Sequence, residues 1–566
     1  MKKSLLALGA VAALGGLGFS GAANAVWVVD SAANATAQTL SASTDTGVGH
    51  ILVTPYFSTA GSTGTLLTVV NTDTTNGKAV KVRFRGAANS DDVLDFTVLL
   101  SPGDVWSASV AQGADGFSRM SSPDTSCVLP AQPTGEGVAF SDARLDTRLT
   151  AEARAAHTQE GYVEWLTMAD IRPGTRLFTA TKHKLVGGQM VAPCTSDVMA
   201  ELMDPTTTMN VDEASAFGLT APTGGLMGNW TIYNSGNVTS YGGANSAIVA
   251  LDTTAVPPAP ASARLFFAPQ IGASNPTFPP NGGDVAWSTG THLGETADPL
   301  LTNFDNGGPA GGPILQMLPF DLPDLSTPYV SGFGFAAAQS TALSAAMATS
   351  AVMNEWTAGS DNGVNFSTDW VFSQPTRRYH AAVNYGTGGA TPAAVYNSLS
   401  SPFFYPPASM VKKTLGANGA FGTVLCLQDG IATYHAYNRE EATIVPTFNG
   451  EWSPGTPVGK TPGFCGEVAV LTFGEQSKAL NAQLTTYQIG SLPSGGAGWM
   501  SVGLPGVTTI GEATYAGGLP VIGYAANTFN TSVGSMVGNY GDAVTHRYKR
   551  PSGPAPAIVL PAPAVE

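Results

Sequence analysis

The stretch VKVRFRGAANSDDVLDFTVLL, residues 80–100, decides how the chain is read. Val80, Val82 and Phe84 alternate with Lys81, Arg83 and Arg85, the two-residue period of a strand whose successive side chains point to opposite faces. The apolar triplet is expected to face a core and the three cations to face water. On the next strand Leu94, Phe96, Val98 and Leu100 point inward and Asp95 outward, so a cross-strand pair of Arg83 or Arg85 with Asp95 is predicted. An exposed pair of that kind contributes about 0.2–1 kcal/mol and discourages edge-to-edge aggregation.

Around this stretch the pattern repeats. ILVTPYF, TLLTVVN, AVKVRFRGA, VLDFTVLL and VWSASV, within residues 51–110, are separated by turn-forming residues, of which Asn76-Gly77 is the strongest hairpin signal. Short strands at this spacing predict a β-meander in a sandwich or barrel. GYVEWLTM and TRLFTATKHKL read as further strands. GNWTIYNSGNVTSYGGANSAIVALD, residues 228–252, reads as a hairpin. Short helices are predicted over SDARLDTRLTAEARAAH (141–157) and near SDVMAELM, and the longest helix over 335–356, ending at Ala358-Gly359. The strand pattern resumes from Gly422.

The expected fold class is mainly β: tandem antiparallel β-sandwich-like domains with a few short helices. A signal peptide occupies 1–25, with Lys2 and Lys3, an apolar run and Ala23-Asn24-Ala25 as a small-residue cleavage site. An N-terminal domain spans 26–252, a Pro/Ala linker 253–263, and a C-terminal β-rich domain 264–550 with the helical insertion near 335–356. A Pro/Ala tail covers 551–566. No later window is apolar enough for a transmembrane helix, whereas a β-barrel is not excluded by alternation alone.

Charged residues make up 11% of the 566, against an average near 25%, while hydrophobic residues at 43% are ordinary. The polar surface must therefore come from Ser, Thr, Asn and Gly, as in an exported, turn-rich β protein. A net charge of −15 disfavours binding driven by phosphate neutralisation, so nucleic acid is excluded as a partner.

Four cysteines, Cys127, Cys194, Cys426 and Cys465, allow three pairings, and proximity favours Cys127 with Cys194 and Cys426 with Cys465. A zinc site of Cys426, His435 and Cys465 is the sharper alternative, without a supporting CxxC or HxxxH spacing.

Motifs of catalysis are scarce. GTPVGKT (455–461) ends like a phosphate loop, but Pro454 stands where its first glycine belongs, and Pro454 and Pro457 remove donors. There is no GxSxG, HExxH or CxxCH, and the seven histidines stand singly, although a Ser/His/Asp triad is defined in space and not by spacing. Glu164-Trp165, Asp369-Trp370 and Glu451-Trp452 place carboxylates beside aromatics, yet strand neighbours face opposite ways and cannot share one cleft. Oxygen-rich turns at 89–95, 303–308 and 360–369 leave Ca2+ as the one cofactor to consider, although none has EF-hand spacing. No catalytic, cofactor-binding or metal residue is assigned.

The run from Leu52 to Val110, with EGYVEWLTMADI, TDWVFSQPTRRY and GLPVIGYAANTF, resembles secreted cell-surface proteins of Gram-negative bacteria, a largely uncharacterised group. The composition is also similar to that of surface-layer or filament subunits. The resemblance implies a place and a style of fold, with no catalytic residue. The expected function is that of an exported structural or interaction protein, not an enzyme, partnered by itself or by other envelope components. The alternatives are a glycan- or polymer-binding module using Trp106, Trp165, Trp230 or Trp370, and a secreted hydrolase.

Overall fold

The structure is a computed structural model. It describes residues 28–551 except 30–34, 44–46, 133–134, 143–144, 205–208, 269, 271–322, 328, 331–335, 386–391, 398–399, 417–418, 449–460, 475–478, 506–507, 511–512, 516 and 534–535. The signal peptide, the tail beyond Pro551, the 303–308 turn, Glu451-Trp452 and nearly all of the phosphate-loop-like segment lie outside the described residues.

The fold is mainly β, with 48% strand and 12% helix, and among the described residues no sheet closes into a barrel. Two sheets form the N-terminal half. One runs in the order Ala259–Pro260, Ser246–Asp252, Ile51–Ser58, Glu160–Ile171, Gly77–Gly86, Asp92–Leu100, Cys127–Leu129, with Thr39–Ser43 and Leu219–Thr220 at its side. The other runs Val138–Ala139, Ser118–Ser121, Val105–Gln112, Thr63–Asn71, Leu226–Asn234, Thr239–Ala244.

The predicted meander is therefore corrected. Strands 51–58 and 77–86 belong to the first sheet and 63–71 and 105–112 to the second, so the chain crosses between layers after most strands. Asn76-Gly77 closes no hairpin: a Cβ on Gly77 would meet the Leu100 carbonyl oxygen at 2.6 Å, so this glycine serves a close strand approach. The hairpin that does form joins 77–86 to 92–100, with Arg83 opposite Asp95.

Val80, Val82 and Phe84 face the second sheet, as expected, in a cluster with Trp106, Trp165, Leu67 and Val69. Trp106 and Trp165 meet edge-to-face at 6.0 Å, and the Trp165 indole donates to Thr54 Oγ1 at 3.0 Å, which satisfies its polar end in the interior. Full burial of each large apolar side chain is worth about 1.5–3 kcal/mol.

The C-terminal half stacks two more sheets around Trp356, Trp370 and Phe473. One runs Thr443–Ile444, Thr433–Asn438, Ala497–Gly503, Ala351–Thr357, Arg547–Lys549. The other runs Thr486–Ile489, Val468–Phe473, Val364–Ser373, Ile522–Val533, Met536–Thr545. The pairing of Val468–Phe473 with Thr486–Ile489 is parallel, an exception to the antiparallel rule. The two halves share one hydrophobic cluster: Val371, Val470 and Tyr524 join Ile51 and Trp230, and the Trp230 and Tyr524 rings stand 4.3 Å apart. A buried carboxylate ties the halves further: Glu160 accepts from the backbone of Gln483 and Leu484 and from Tyr56 Oη, whereas the buried Asp369 accepts from Ala479 and Leu480 within the C-terminal half. Within 253–263, Ala259–Pro260 pairs with Asp252 and Leu251.

Local expectations need four corrections. The 335–356 helix is confined to Ala336–Met347, because from Ala351 burial follows the period of two, and Ala351–Thr357 is a strand. The 141–157 helix shrinks to Ala151–His157, capped by Thr150. TRLFTATKHKL opens as a helix, Arg176–Thr181, capped by Thr175, before a strand at Lys184–Val186. A helix at Val211–Phe217, with a capping box of Asn210 and Glu213, was not expected. SDVMAELM is helical over Ser196–Met203.

Candidate interaction surfaces

The largest correction concerns the opening stretch. Lys81, Arg83 and Arg85 do not face water: all three are at most 1% exposed. Their face of the sheet is covered by residues distant in sequence. Lys81 donates to Asp95 and to Gln270 Oε1, Arg83 donates to Asp92 at 2.5 Å and to the Pro323 carbonyl at 3.0 Å, and Arg83 also lies 4.0 Å from Asp95. Arg85 lies 3.4 Å from Glu164 and 4.0 Å from Asp324. Burial pushes the Glu164 carboxyl up, against the pull of Arg85. Asp95 is held below the usual carboxylate range, because Lys81 and Arg83 outweigh its burial. Nearby, Glu467 contacts Arg377 at 2.8 Å, yet burial raises its carboxyl to about 7 against the pull of Arg377 and Arg378. The acidic turn at 89–95 thus spends its carboxylates on internal partners: Asp92 and Asp95 on Arg83 and Lys81, and Asp91 on the Tyr385 hydroxyl, which donates to it at 2.8 Å. In the 360–369 turn, Asn362 and Gly363 adopt positive φ and close a hairpin, and Asp369 is buried on backbone donors. Among the described residues no cluster of His, Cys, Asp and Glu could hold a metal.

Both disulfides form as proximity predicted, Cys127–Cys194 and Cys426–Cys465. They consume the thiols of the zinc alternative, and His435 is exposed. The four tryptophans named for ligand binding, Trp106, Trp165, Trp230 and Trp370, are each at most 2% exposed and serve the cores.

A serine and a histidine do meet. Ser344 Oγ lies 2.7 Å from His380 Nε2, but both are fully buried, and the other group acting on the ring is the Ser400 backbone and not a carboxylate. Burial pushes this imidazole down to about 3 and keeps it neutral.

Exposed chemistry lies elsewhere, at two places the sequence reading passed over. On the outer face of the five-stranded sheet Tyr437, Trp499 and Glu355 are register neighbours; the Tyr437 and Trp499 rings stack at 4.3 Å with 5° between planes, and Trp499 is 42% exposed. The alternation in AGWMSVG, with Met500 and Val502 buried, is the signal for this outward tryptophan.

The second place is a two-stranded hairpin, Lys184–Val186 with Gln189–Val191, turned by Gly187 and Gly188 at φ 59° and 88°. It pairs with no other strand among the described residues, and it presents Leu185, Val186 and Met190 at 71%, 62% and 56% exposure. Gly-Gly between two apolar pairs is its sequence signal. Its base is pinned: Thr125 Oγ1 donates to the Met190 carbonyl at 3.2 Å, and His183 bonds Ser101 and Thr125. Beside that base opens a cleft of about 660 Å3 lined by Val128, Leu129, Met199, Ala200 and Met203, with Asp124 on its wall. The Cys127–Cys194 disulfide ties the two walls of this cleft, the 127–129 strand and the approach to the 196–203 helix.

No helix among the described residues is long and apolar enough to cross a membrane. Comparison with known proteins finds no matching family model, no similar curated protein and no similar solved structure.

Proposed function

We propose that the chain is an exported structural or interaction protein of the Gram-negative cell surface, not an enzyme, which assembles with itself or with other envelope components. The observation that carries this reading is the hairpin that holds Leu185, Val186 and Met190 out in solvent beside a cleft. Exposed apolar groups gathered at one place mark interaction sites. Two disulfides support an oxidising compartment, and the signal-like leader supports export. Fractionation of native cells together with electron microscopy of the purified chain tests it. The expected result is protein on the outer envelope and ordered assemblies from purified material. A dispersed monomer found in the medium and never on cells overturns it.

A second reading, binding of a glycan or solid polymer, is favoured by the Tyr437–Trp499 stack with Glu355 beside it. A flat aromatic surface with a carboxylate acceptor at its border suits a sugar ring, whose apolar face stacks and whose hydroxyls donate. Polysaccharide binding that survives Trp499→Ala disposes of this reading.

A further inference from the structure

We infer that two copies of this chain pair about a twofold axis by exchanging the Lys184–Val191 hairpin, its apolar tip entering the cleft beside the partner's hairpin. The inference rests on the self-association reading above and names the surface that performs it.

Three observations converge. The knob exists: Leu185, Val186 and Met190 are more than half exposed on an eight-residue finger, where burial would be expected of such side chains. A hole exists: among serines, Gln132 and Asp124, the side chains of Val128, Leu129, Met199, Ala200 and Met203 give the cleft an apolar portion, and Met adapts to an incoming apolar group. None of the hairpin's residues lines that cleft, so the tip does not fill the hole of its own chain.

Placement then selects the symmetry. The hairpin is rooted on Thr125, whose neighbours Asp124 and Ser126 both line the cleft, so knob and hole lie side by side on one patch. Side-by-side complementary features make a patch self-complementary, the requirement of an isologous twofold pair; knob and hole on opposite faces would instead propagate a filament. Charge agrees with this arrangement. Lys182 and Lys184 stand exposed at the base of the finger, while Asp124 lines the cleft and Asp197 and Glu201, which share the single cation Arg176, leave its helix net acidic. Reciprocal insertion brings each basic base to the other copy's acidic wall. Two small insertions make an interface at the low end of specific pairs, so a micromolar dimer is expected.

Sedimentation velocity on the purified full chain tests the inference without reference to where the cell puts the protein, so its outcome is separate from the fractionation test. Leu185→Asp with Val186→Asp removes the knob, and Ala200→Arg, at an exposed position on the cleft wall, blocks the hole. Each variant alone is expected to weaken dimerisation about a hundredfold, since apolar anchors dominate such interfaces. An equimolar mixture of the two is expected to regain association, because the intact knob of the Ala200→Arg chain enters the open hole of the other. A monomeric wild-type chain overturns the inference, as do variants that dimerise unchanged or a mixture that stays monomeric.

Discussion

Two strands of this molecule carry the same written pattern and end in opposite environments. Gly77–Gly86 alternates Val80, Val82 and Phe84 with Lys81, Arg83 and Arg85, and every one of its residues is buried. Thr433–Asn438 alternates Tyr434 and Ala436 with Thr433, His435 and Tyr437, and its second set stays wet or half-wet. The period of two states which side chains share a face. It does not state what lies on that face. For the first strand the cover comes from Gln270, Pro323 and Asp324, roughly 190 to 240 positions further along the chain by the reach of its hydrogen bonds. Its three cations consequently sit among carboxylates and not among waters.

The difference is expected to be largest where one partner of the buried set is removed. Arg85→Met leaves Glu164 fully buried beside an apolar group, and uncompensated buried charges cost roughly 3–5 kcal/mol. Glu164→Met is expected to cost less, because Arg85 keeps Asp92 and Asp324 at 3.9 and 4.0 Å. The double variant is expected to cost clearly less than the sum, because the two desolvation penalties vanish together. Urea unfolding with both disulfides intact measures all three. Additive losses would mean that the pair is not coupled and that the face is wetter than its burial indicates.

The next effect is a pH dependence that the exposed strand should lack. Glu467 titrates near 7 in the folded chain, raised by burial from an ordinary value of 4.5. Between those values the folded state holds a proton that the unfolded chain has released, so this group's contribution to stability falls as pH rises through the window, by about 1.4 kcal/mol per pH unit at most. His50, His380 and His546 act in the opposite sense: burial pushes each from 6.5 to about 3, so stability falls as pH drops below the unfolded value. Glu467→Gln mimics the protonated carboxyl and isolates the first contribution. Its stability relative to wild type is expected to rise from pH 5 to pH 8. A constant difference would show Glu467 ionised throughout, the Arg377 contact having outweighed burial.

Much of this was legible in the chain, and the remainder was hidden for a physical reason. Strand positions, the inward triplet Val80, Val82 and Phe84, the Arg83–Asp95 pairing and both disulfides follow from local period and proximity. The buried state of Arg83 and Arg85, the Ser344–His380 contact and the burial of Trp106 and Trp370 depend on tertiary cover, which no window of a strand's length contains. The exposed surfaces were missed for a simpler reason. Trp499 and the Gly187-Gly188 hairpin carry plain period and turn signals, but those signals are the same for a covered and an uncovered strand face.

The smallest expected effect lies on the open strand, and it completes the comparison. His435→Lys places a cation on Thr433–Asn438 at the position that pairs with Ser501, in the same alternating role as Arg83 on the other strand. His435 is exposed, so the new ammonium keeps its water and no partner has to be desolvated with it. The change in stability is expected within about 0.5 kcal/mol of zero, as for surface substitutions away from special features. Arg83→Lys is at least as conservative in charge, yet it gives up the planar fork that reaches Asp92 and the Pro323 carbonyl together, and it should cost several times more. If thermal unfolding gave the two substitutions equal costs, burial would not be what separates the strands, and the cover supplied by Pro323 and Asp324 would have to be open to solvent.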